Sequence, residues 1–197
     1  MTLILASQSK TRQNMLRAAG LNFETRPANL DEAAIMAGAL KDGKNPDEIA
    51  TLLAIEKARS VCAQIPGALV IGSDQILECT GKILSKAANK NEAHEKLKSL
   101  RGKTHRLISA VCVAQNDKIL WKTTQSAELT MYDFDDNFLQ QYMECAGEAL
   151  TRSVGAYELE SLGAQLFDKI EGDYFTILGM PLLPLLKYLR ENQGIGL

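Results

Sequence analysis

Ala68-Leu69-Val70-Ile71-Gly72-Ser73-Asp74-Gln75 holds the strongest strand signal in the chain. Its first five residues are apolar without interruption, the pattern of a strand covered on both faces and so of a sheet flanked by helices. Ser73, Asp74 and Gln75 then follow at the carboxyl end of that strand, where α/β sheets commonly keep their chemistry. Upstream, Met1 to Ala6 reads as a second short buried strand. It runs into Ser7-Gln8-Ser9-Lys10-Thr11-Arg12, which places hydroxyls and cations where a strand turns into a helix. Ser9 is a suitable N-cap, Met15, Leu16 and Ala19 face inward, and Gly20 stops the helix. Backbone N–H groups at such a helix start attract anions, and an arginine one turn in adds directed donors. The same hydroxyls serve equally as ordinary helix caps.

Further along, Asn22 to Arg26 alternates like a strand, and Asp31-Glu32 puts two carboxylates at the start of a loop or helical turn. Asn45-Pro46-Asp47-Glu48 predicts a helix start, with the helix running to about Gln64. On that helix Lys57 falls in line with Ile49, Leu53 and Val61, so its amine either enters a cleft or snorkels at the core edge. Gly81 to Lys86 resembles a turn with a short edge segment, followed by a polar helix over Asn91 to Leu100. Leu107 to Ala114 is a second strand of buried character, Lys118 to Trp121 and Gln125 to Met131 look like two antiparallel partners, and Asp135 to Cys145 is an amphipathic helix. Gly155, Gly163, Gly172 and Gly179 are expected to punctuate short strands before a last helix from Pro181 to about Glu191. The whole reads as one α/β domain with a mixed sheet.

Composition narrows the function classes. A chain of 197 residues with 46% apolar residues can bury one sizeable core. Its net charge of −2 argues against a nonspecific grip on a nucleic acid polymer or an anionic membrane, so an anionic partner should be small and locally bound. Cys62, Cys79, Cys112 and Cys145 form no C-x-x-C pair and have only His94 and His105 to help them bind metal, so reduced, mostly buried thiols are expected. With no leader-like start and no apolar run long enough for a membrane span, the expected location is the cytoplasm.

Asp74 is the first candidate for chemistry. A carboxylate after a buried strand can hold Mg²⁺ or orient a water, although aspartate also forms turns there. Ser7, Arg12, Lys57 and Lys86 bring hydroxyl and cationic groups from separate segments, a set that suits a polyphosphate. Charge in phosphoryl transfer spreads over several oxygens and calls for several fixed cations, a metal and a positioned water.

Nearly the whole chain resembles the Maf family of nucleotide pyrophosphatases, long called septum formation inhibitors. The matching segments are Leu5-Ala6-Ser7-Gln8-Ser9 with Arg12, Glu56-Lys57-Ala58, Ile71-Gly72-Ser73-Asp74 and Leu100-Arg101-Gly102-Lys103-Thr104-His105. Val154-Gly155-Ala156-Tyr157, Ile170-Glu171-Gly172-Asp173-Tyr174 and Leu178-Gly179-Met180-Pro181-Leu182 also match, and the specificity lies in their order and spacing. The resemblance implies an α/β fold akin to that of the inosine triphosphate pyrophosphatases, with a mixed, strongly twisted sheet and helices flanking it, in a single domain over 1–197 whose two lobes enclose a central cleft. It implies cleavage of nucleoside triphosphates to monophosphate and pyrophosphate with a divalent cation, Mg²⁺ or Mn²⁺. By the same resemblance Asp74 activates water, Ser7, Arg12, Lys57 and Lys86 hold phosphates, and Glu32 joins Asp74 in the metal shell. His105, which precedes a buried strand, is read as a structural hydrogen-bonding group and not as a catalyst. A homodimer is expected on the same basis.

Departures from the family's commonest pattern bear on the base. Asp74-Gln75 replaces Asp-Thr, Thr11 replaces a second arginine, and Leu159-Glu160-Ser161 replaces Ile-Gln-Gly, all at positions thought to surround the base. Gln75 and Glu160 resemble the branch acting on 7-methylguanosine triphosphate, and a glutamate accepts hydrogen bonds from the N1–H and 2-amino edge of guanine. Thr11 and Tyr157 do not reproduce that branch, and Ser85-Lys86-Ala87 lacks the usual Gly-Lys-Pro, so the base preference stays open. A different class, a nucleotide-binding division regulator with vestigial activity, also fits the family's history. The pairing of Asp74 with Lys57 and Lys86 favours chemistry over sensing, because a sensor has no use for a water-activating carboxylate.

Overall fold

The computed structural model describes residues 2–196. The chain divides into two compact units, the first made of Met1–Gln75, Ile108–Gln125 and Gly179–Leu197, the second of Ile76–Leu107 and Ser126–Leu178. A seven-stranded mixed sheet has the order Glu24–Thr25, Leu3–Leu5, Leu69–Cys79, Thr104–Gln115, Lys118–Met131, Phe167–Glu171, with Lys82–Leu84 paired to Leu69–Cys79.

In the first unit, β1 (Leu3–Leu5) lies parallel to β2 (Glu24–Thr25) and to β3 (Leu69–Cys79), with Leu5 opposite both Thr25 and Ile71. The expected strand from Met1 to Ala6 is thus shorter, and Met1 lies outside the described residues. Parallel neighbours need crossovers. Helix α1 (Lys10–Ala18), capped by Ser9, supplies the first, while α2 (Glu32–Lys41), capped by Asp31, and α3 (Pro46–Cys62) together supply the second. Helix α3 starts with a full capping box, in which Asn45 and Glu48 each accept from the other's backbone N–H at 2.9 Å. Its buried face holds Ile49, Leu53, Lys57 and Val61, as the four-residue spacing implied.

Strand β3 is longer than its apolar run. The strand continues through Ser73, Asp74 and Gln75 to Cys79, so Asp74 sits inside it and not past its end. Polarity alone looked like a stop signal, but here the polar side chains find partners and the ladder carries on. Strand β5 (Thr104–Gln115) and β6 (Lys118–Met131) meet at Asn116 and Asp117, whose φ values of 48° and 64° fit a two-residue hairpin turn. The two strands expected at Lys118 to Trp121 and Gln125 to Met131 are this single β6, because the intervening Thr123 and Thr124 are β-branched and continue the pleat. Helix α8 (Leu182–Gln193) buries Leu182, Leu185 and Leu189.

The second unit has its own core, in which Leu77, Leu97, Leu100, Leu129, Leu139 and Leu150 are fully buried, each contributing about 2 kcal/mol by burial. Strand β4 (Lys82–Leu84) returns antiparallel to β3, with Leu84 opposite Leu77. Helices α4 (Lys90–Leu100) and α5 (Asp136–Cys145) are capped by Asn89 and Asp135. After the short helix α6 (Ala149–Arg152), the short strands expected between Gly155 and Gly179 resolve into one strand, β7 (Phe167–Glu171), with a 3-10 turn (Leu162–Leu166) before it and α7 (Tyr174–Ile177) after it. The glycines there mark close approaches more than strand ends. A Cβ on Gly155 would stand 2.2 Å from the Tyr157 ring, and one on Gly163 would stand 2.5 Å from the Glu158 carbonyl.

All four cysteines are free thiols, and all but Cys145 are buried. Among the described residues no helix is long and apolar enough to cross a membrane.

Candidate active site

The site grows from the contact between α3 and β3. Gly72 lies so close to the helix that a Cβ there would be 2.1 Å from the Ala54 carbonyl. One turn further along α3 is Lys57, and two residues further along β3, on the same face, is Asp74. The consequence is an ion pair between buried groups, Lys57 Nζ to Asp74 Oδ1 at 2.6 Å. Glu32, the first residue of α2, meets the same ammonium through Oε2 at 2.9 Å with about half of its side chain exposed. One lysine therefore joins two carboxylates, and Glu32 carries that cluster outward.

Burial is the largest influence on Asp74 and raises its pKa, while Lys57 and Arg12 act to lower it. Arg12 is pulled the other way: desolvation lowers its pKa, and Asp74 and Glu32 oppose that. Both groups thus stand in a low-dielectric setting where charge interactions are strong.

Arg12 is fixed by backbone as well as side chains. Its Nε donates to the Gly179 carbonyl at 2.8 Å, and its Nη1 donates to the Ser73 carbonyl at 3.1 Å and to Ser7 Oγ at 3.4 Å. Ser73 Oγ also donates to the Gly179 carbonyl, at 3.1 Å. Ser7, Arg12 and Ser73 are all buried. Ser7 Oγ accepts from the Ser9 N–H, and Ser9 Oγ caps α1 at the Arg12 N–H, so capping and site-building are done by the same hydroxyls. Thr11 stands one residue before Arg12 on α1, and Gln75 donates from Nε2 to Ser109 Oγ at 3.1 Å. The first unit therefore brings Ser7, Arg12, Glu32, Lys57 and Asp74 into one network.

Lys86 and Glu160 belong to the second unit. Lys86 follows β4 at an exposed position and lines a depression of about 440 Å³ with Ser85, Ala87, Asn91, Glu92 and Lys96. Glu160 lies in the exposed turn before the 3-10 segment. Next to it, Glu158 is held by Arg152 at 2.7 Å. His105 is buried, its Nε2 lies 2.6 Å from the Tyr157 hydroxyl, and burial lowers its pKa to about 4. His105 thus makes a buried hydrogen bond, as expected of it.

Among the described residues no group of three or more His, Cys, Asp or Glu side chains is arranged to hold a metal alone. Two carboxylates around one cation still suit Mg²⁺, which commonly takes one or two protein carboxylates and fills its shell with waters and substrate phosphates. Asp74 Oδ1 and Glu32 Oε2 already converge on the Lys57 ammonium, so the donor set fits a hard divalent ion.

The family model for Maf-like proteins matches residues 2–192. The chain belongs to the Maf family. A protein of Caulobacter vibrioides named nucleoside triphosphate pyrophosphatase is 51% identical over 97% of this chain and 96% of its own length. One of Rhizobium etli named 7-methyl-GTP pyrophosphatase is 47% identical over 96% of this chain and 95% of its own. Among solved structures, the Staphylococcus aureus Ham1 protein aligns over 68% of this chain and 73% of its own at 14% identity, with a TM-score of 0.42.

Three features escaped sequence reasoning, two in this network and one in the second unit. Gly72 sets the helix–strand distance, and its signal was a glycine inside an apolar strand. The Gly179 carbonyl orients Arg12 and Ser73, and no side-chain pattern announces a backbone acceptor. Lys96, on a polar helix, is partly buried with its pKa lowered to about 8 by desolvation, which its sequence neighbours do not reveal.

Proposed function

We propose that this chain is a nucleoside triphosphate pyrophosphatase that cleaves nucleotides, noncanonical or modified ones included, to a monophosphate and pyrophosphate. The observation that carries the reading is the buried Asp74 carboxylate, raised in pKa by burial yet held at 2.6 Å by Lys57. Such a carboxylate takes a proton from water more readily than an exposed one. A water beside Asp74 attacks the α-phosphorus and gives up its proton to the carboxylate. The bond from the α-phosphorus to the bridging oxygen breaks, and pyrophosphate leaves with that electron pair.

Ser7, Arg12, Lys57 and Lys86 are the proposed phosphate ligands. Since Arg12 is tethered through Nε and Nη1, its Nη2 is the arm assigned to a phosphate oxygen. A divalent cation, Mg²⁺ or Mn²⁺, held by Asp74 and Glu32 would neutralise phosphate charge and make a bound water more acidic. The name of the Caulobacter relative supports the reaction class. The reading carries with it a cytoplasmic location and a homodimer.

A second reading narrows the substrate to 7-methylguanosine triphosphate, with Thr11, Gln75 and Glu160 facing the base. It is favoured by the carboxylate of Glu160, which accepts but does not donate, and by the name of the Rhizobium relative. A panel of canonical, methylated and damaged triphosphates, assayed for pyrophosphate release with Mg²⁺, with Mn²⁺ and with chelator, tests both. Metal-dependent release supports the class, and Glu160→Gln should shift preference from methylated guanine toward uracil or thymine. An unchanged profile removes Glu160 from base reading. Tight binding with no release on any substrate would instead favour a nucleotide-binding regulator of division.

A further inference from the structure

We propose that Lys96 is a positioning residue that straps the segment carrying Lys86 to the anchored turn at residues 153–157. The proposal rests on the reading of Lys86 as a phosphate ligand. From α4, the Lys96 ammonium donates to two carbonyls of distant segments: that of Ser85, immediately before Lys86, and that of Val154 at 3.0 Å.

The 153–157 turn is pegged from several sides. Tyr142 donates to the Ala156 carbonyl at 3.2 Å, Ser153 Oγ accepts from the Tyr157 N–H at 2.9 Å, and His105 Nε2 lies 2.6 Å from the Tyr157 hydroxyl. Tyr157 is fully packed, against His105 and Phe167 among others. Ala156 holds a φ of 60°, a left-handed conformation costly for a residue with a Cβ, so the surrounding contacts fix a strained backbone there. On the other side, the ladder between β4 and β3 ends at Leu84 opposite Leu77, and Ser85 and Lys86 are exposed. Beyond them Ala87 enters the core, and Glu92 accepts the Ala88 N–H at 2.9 Å. Lys96 thus lends the rigidity of the pegged turn to the two exposed residues that precede Ala87.

An ammonium on an unbranched stem suits this task. It offers several donors to carbonyls at different angles while its methylenes cover apolar surface. Lys96→Met keeps the stem and deletes the donors, whereas Lys96→Arg restores donors and Lys96→Gln restores one amide group. If the strap acts through Lys86, Lys96→Met should raise KM for a nucleoside triphosphate about fivefold with kcat within about twofold, since binding that is equal in ground and transition states is what is lost. In a Lys86→Ala background the same change should then move KM by less than about 1.5-fold, because the two residues act as one unit. Lys96→Arg should recover most of the loss and Lys96→Gln part of it.

Amide hydrogen exchange of residues 85–88 supplies an independent readout. Faster exchange there in Lys96→Met, with 153–157 and the global melting temperature little changed, supports the strap. Unchanged exchange overturns it. Faster exchange with additive KM effects overturns action through Lys86. A silent Lys86→Ala in an active enzyme would instead strike down the phosphate-ligand reading, and the exchange result would still judge the strap.

Discussion

At Asp74 two requirements collide. The proposed role as a base needs the ionised carboxylate, while burial penalises it more than Lys57 and Arg12 relieve it, so the folded-state pKa is raised. For stability the sign follows from linkage: a carboxyl whose pKa is higher folded than unfolded contributes most below its unfolded pKa, and the contribution is lost as pH rises through the folded value. Asparagine is neutral throughout. Asp74→Asn should therefore melt higher than the parent at neutral pH, with the gap closing as pH falls. Thermal melts at neutral and acidic pH check this, and a lower melting temperature at neutral pH would mean that attraction to Lys57 outweighs desolvation. This is the expected trade of stability against activity at a functional residue.

The element that makes Asp74 useful is the α3–β3 contact, and its geometry hangs on Gly72. Gly72→Ala places a Cβ 2.1 Å from the backbone oxygen of Ala54, so helix and strand must part. A loss of about 3 kcal/mol is expected from such overpacking. Activity should fall as well, because Lys57 moves with the helix. Gly38→Ala is the control: on α2, with nothing within 4 Å of the new Cβ, it should stabilise by about 0.5–1 kcal/mol. Chemical denaturation of the two variants, read with pyrophosphate release, compares them directly, and equal effects would refute the close-contact account.

The same contact explains what could be read in advance. Helix α3 was legible because its capping box and four-residue apolar spacing are local signals, and Lys57 fell on the buried face those signals define. Strand β3 was only half legible. Its polar second half, Ser73 to Gln75, imitates a strand end, and only partners far away in sequence, such as Gly179 106 residues beyond Ser73, let it continue as a buried strand. The Ser7–Arg12 segment could be picked out as a cap, but Arg12's hold on the Gly179 carbonyl spans 167 residues and leaves no mark on the local sequence. The residues after Gly147 were read poorly because glycines signal tight places without saying whether helix or strand runs between them.

At the scale of the whole molecule, acid should find the second unit first. Burial lowers His105 to about 4 from an ordinary value of 6.5, and its Nδ1 has no hydrogen-bond partner among the described residues. A histidine with a depressed folded pKa gives stability that is present above 6.5 and lost as pH falls toward 4, because the unfolded chain takes up the proton first. The difference amounts to about 3 kcal/mol across that window. Denaturant melts between pH 7 and 4 should show this loss, and His105→Phe should flatten it even if the variant is less stable at neutral pH. A parent-like pH slope in His105→Phe would assign the acid sensitivity to other groups.

Hydrolysis in ¹⁸O-labelled water under single-turnover conditions shows whether Asp74 turns water onto the α-phosphorus. The parent protein with Mg²⁺ should place the label in the nucleoside monophosphate and leave pyrophosphate unlabelled. Asp74→Asn should still bind the triphosphate while turnover drops by about 10²–10⁴-fold. Label in pyrophosphate, or undiminished turnover in Asp74→Asn, would contradict it.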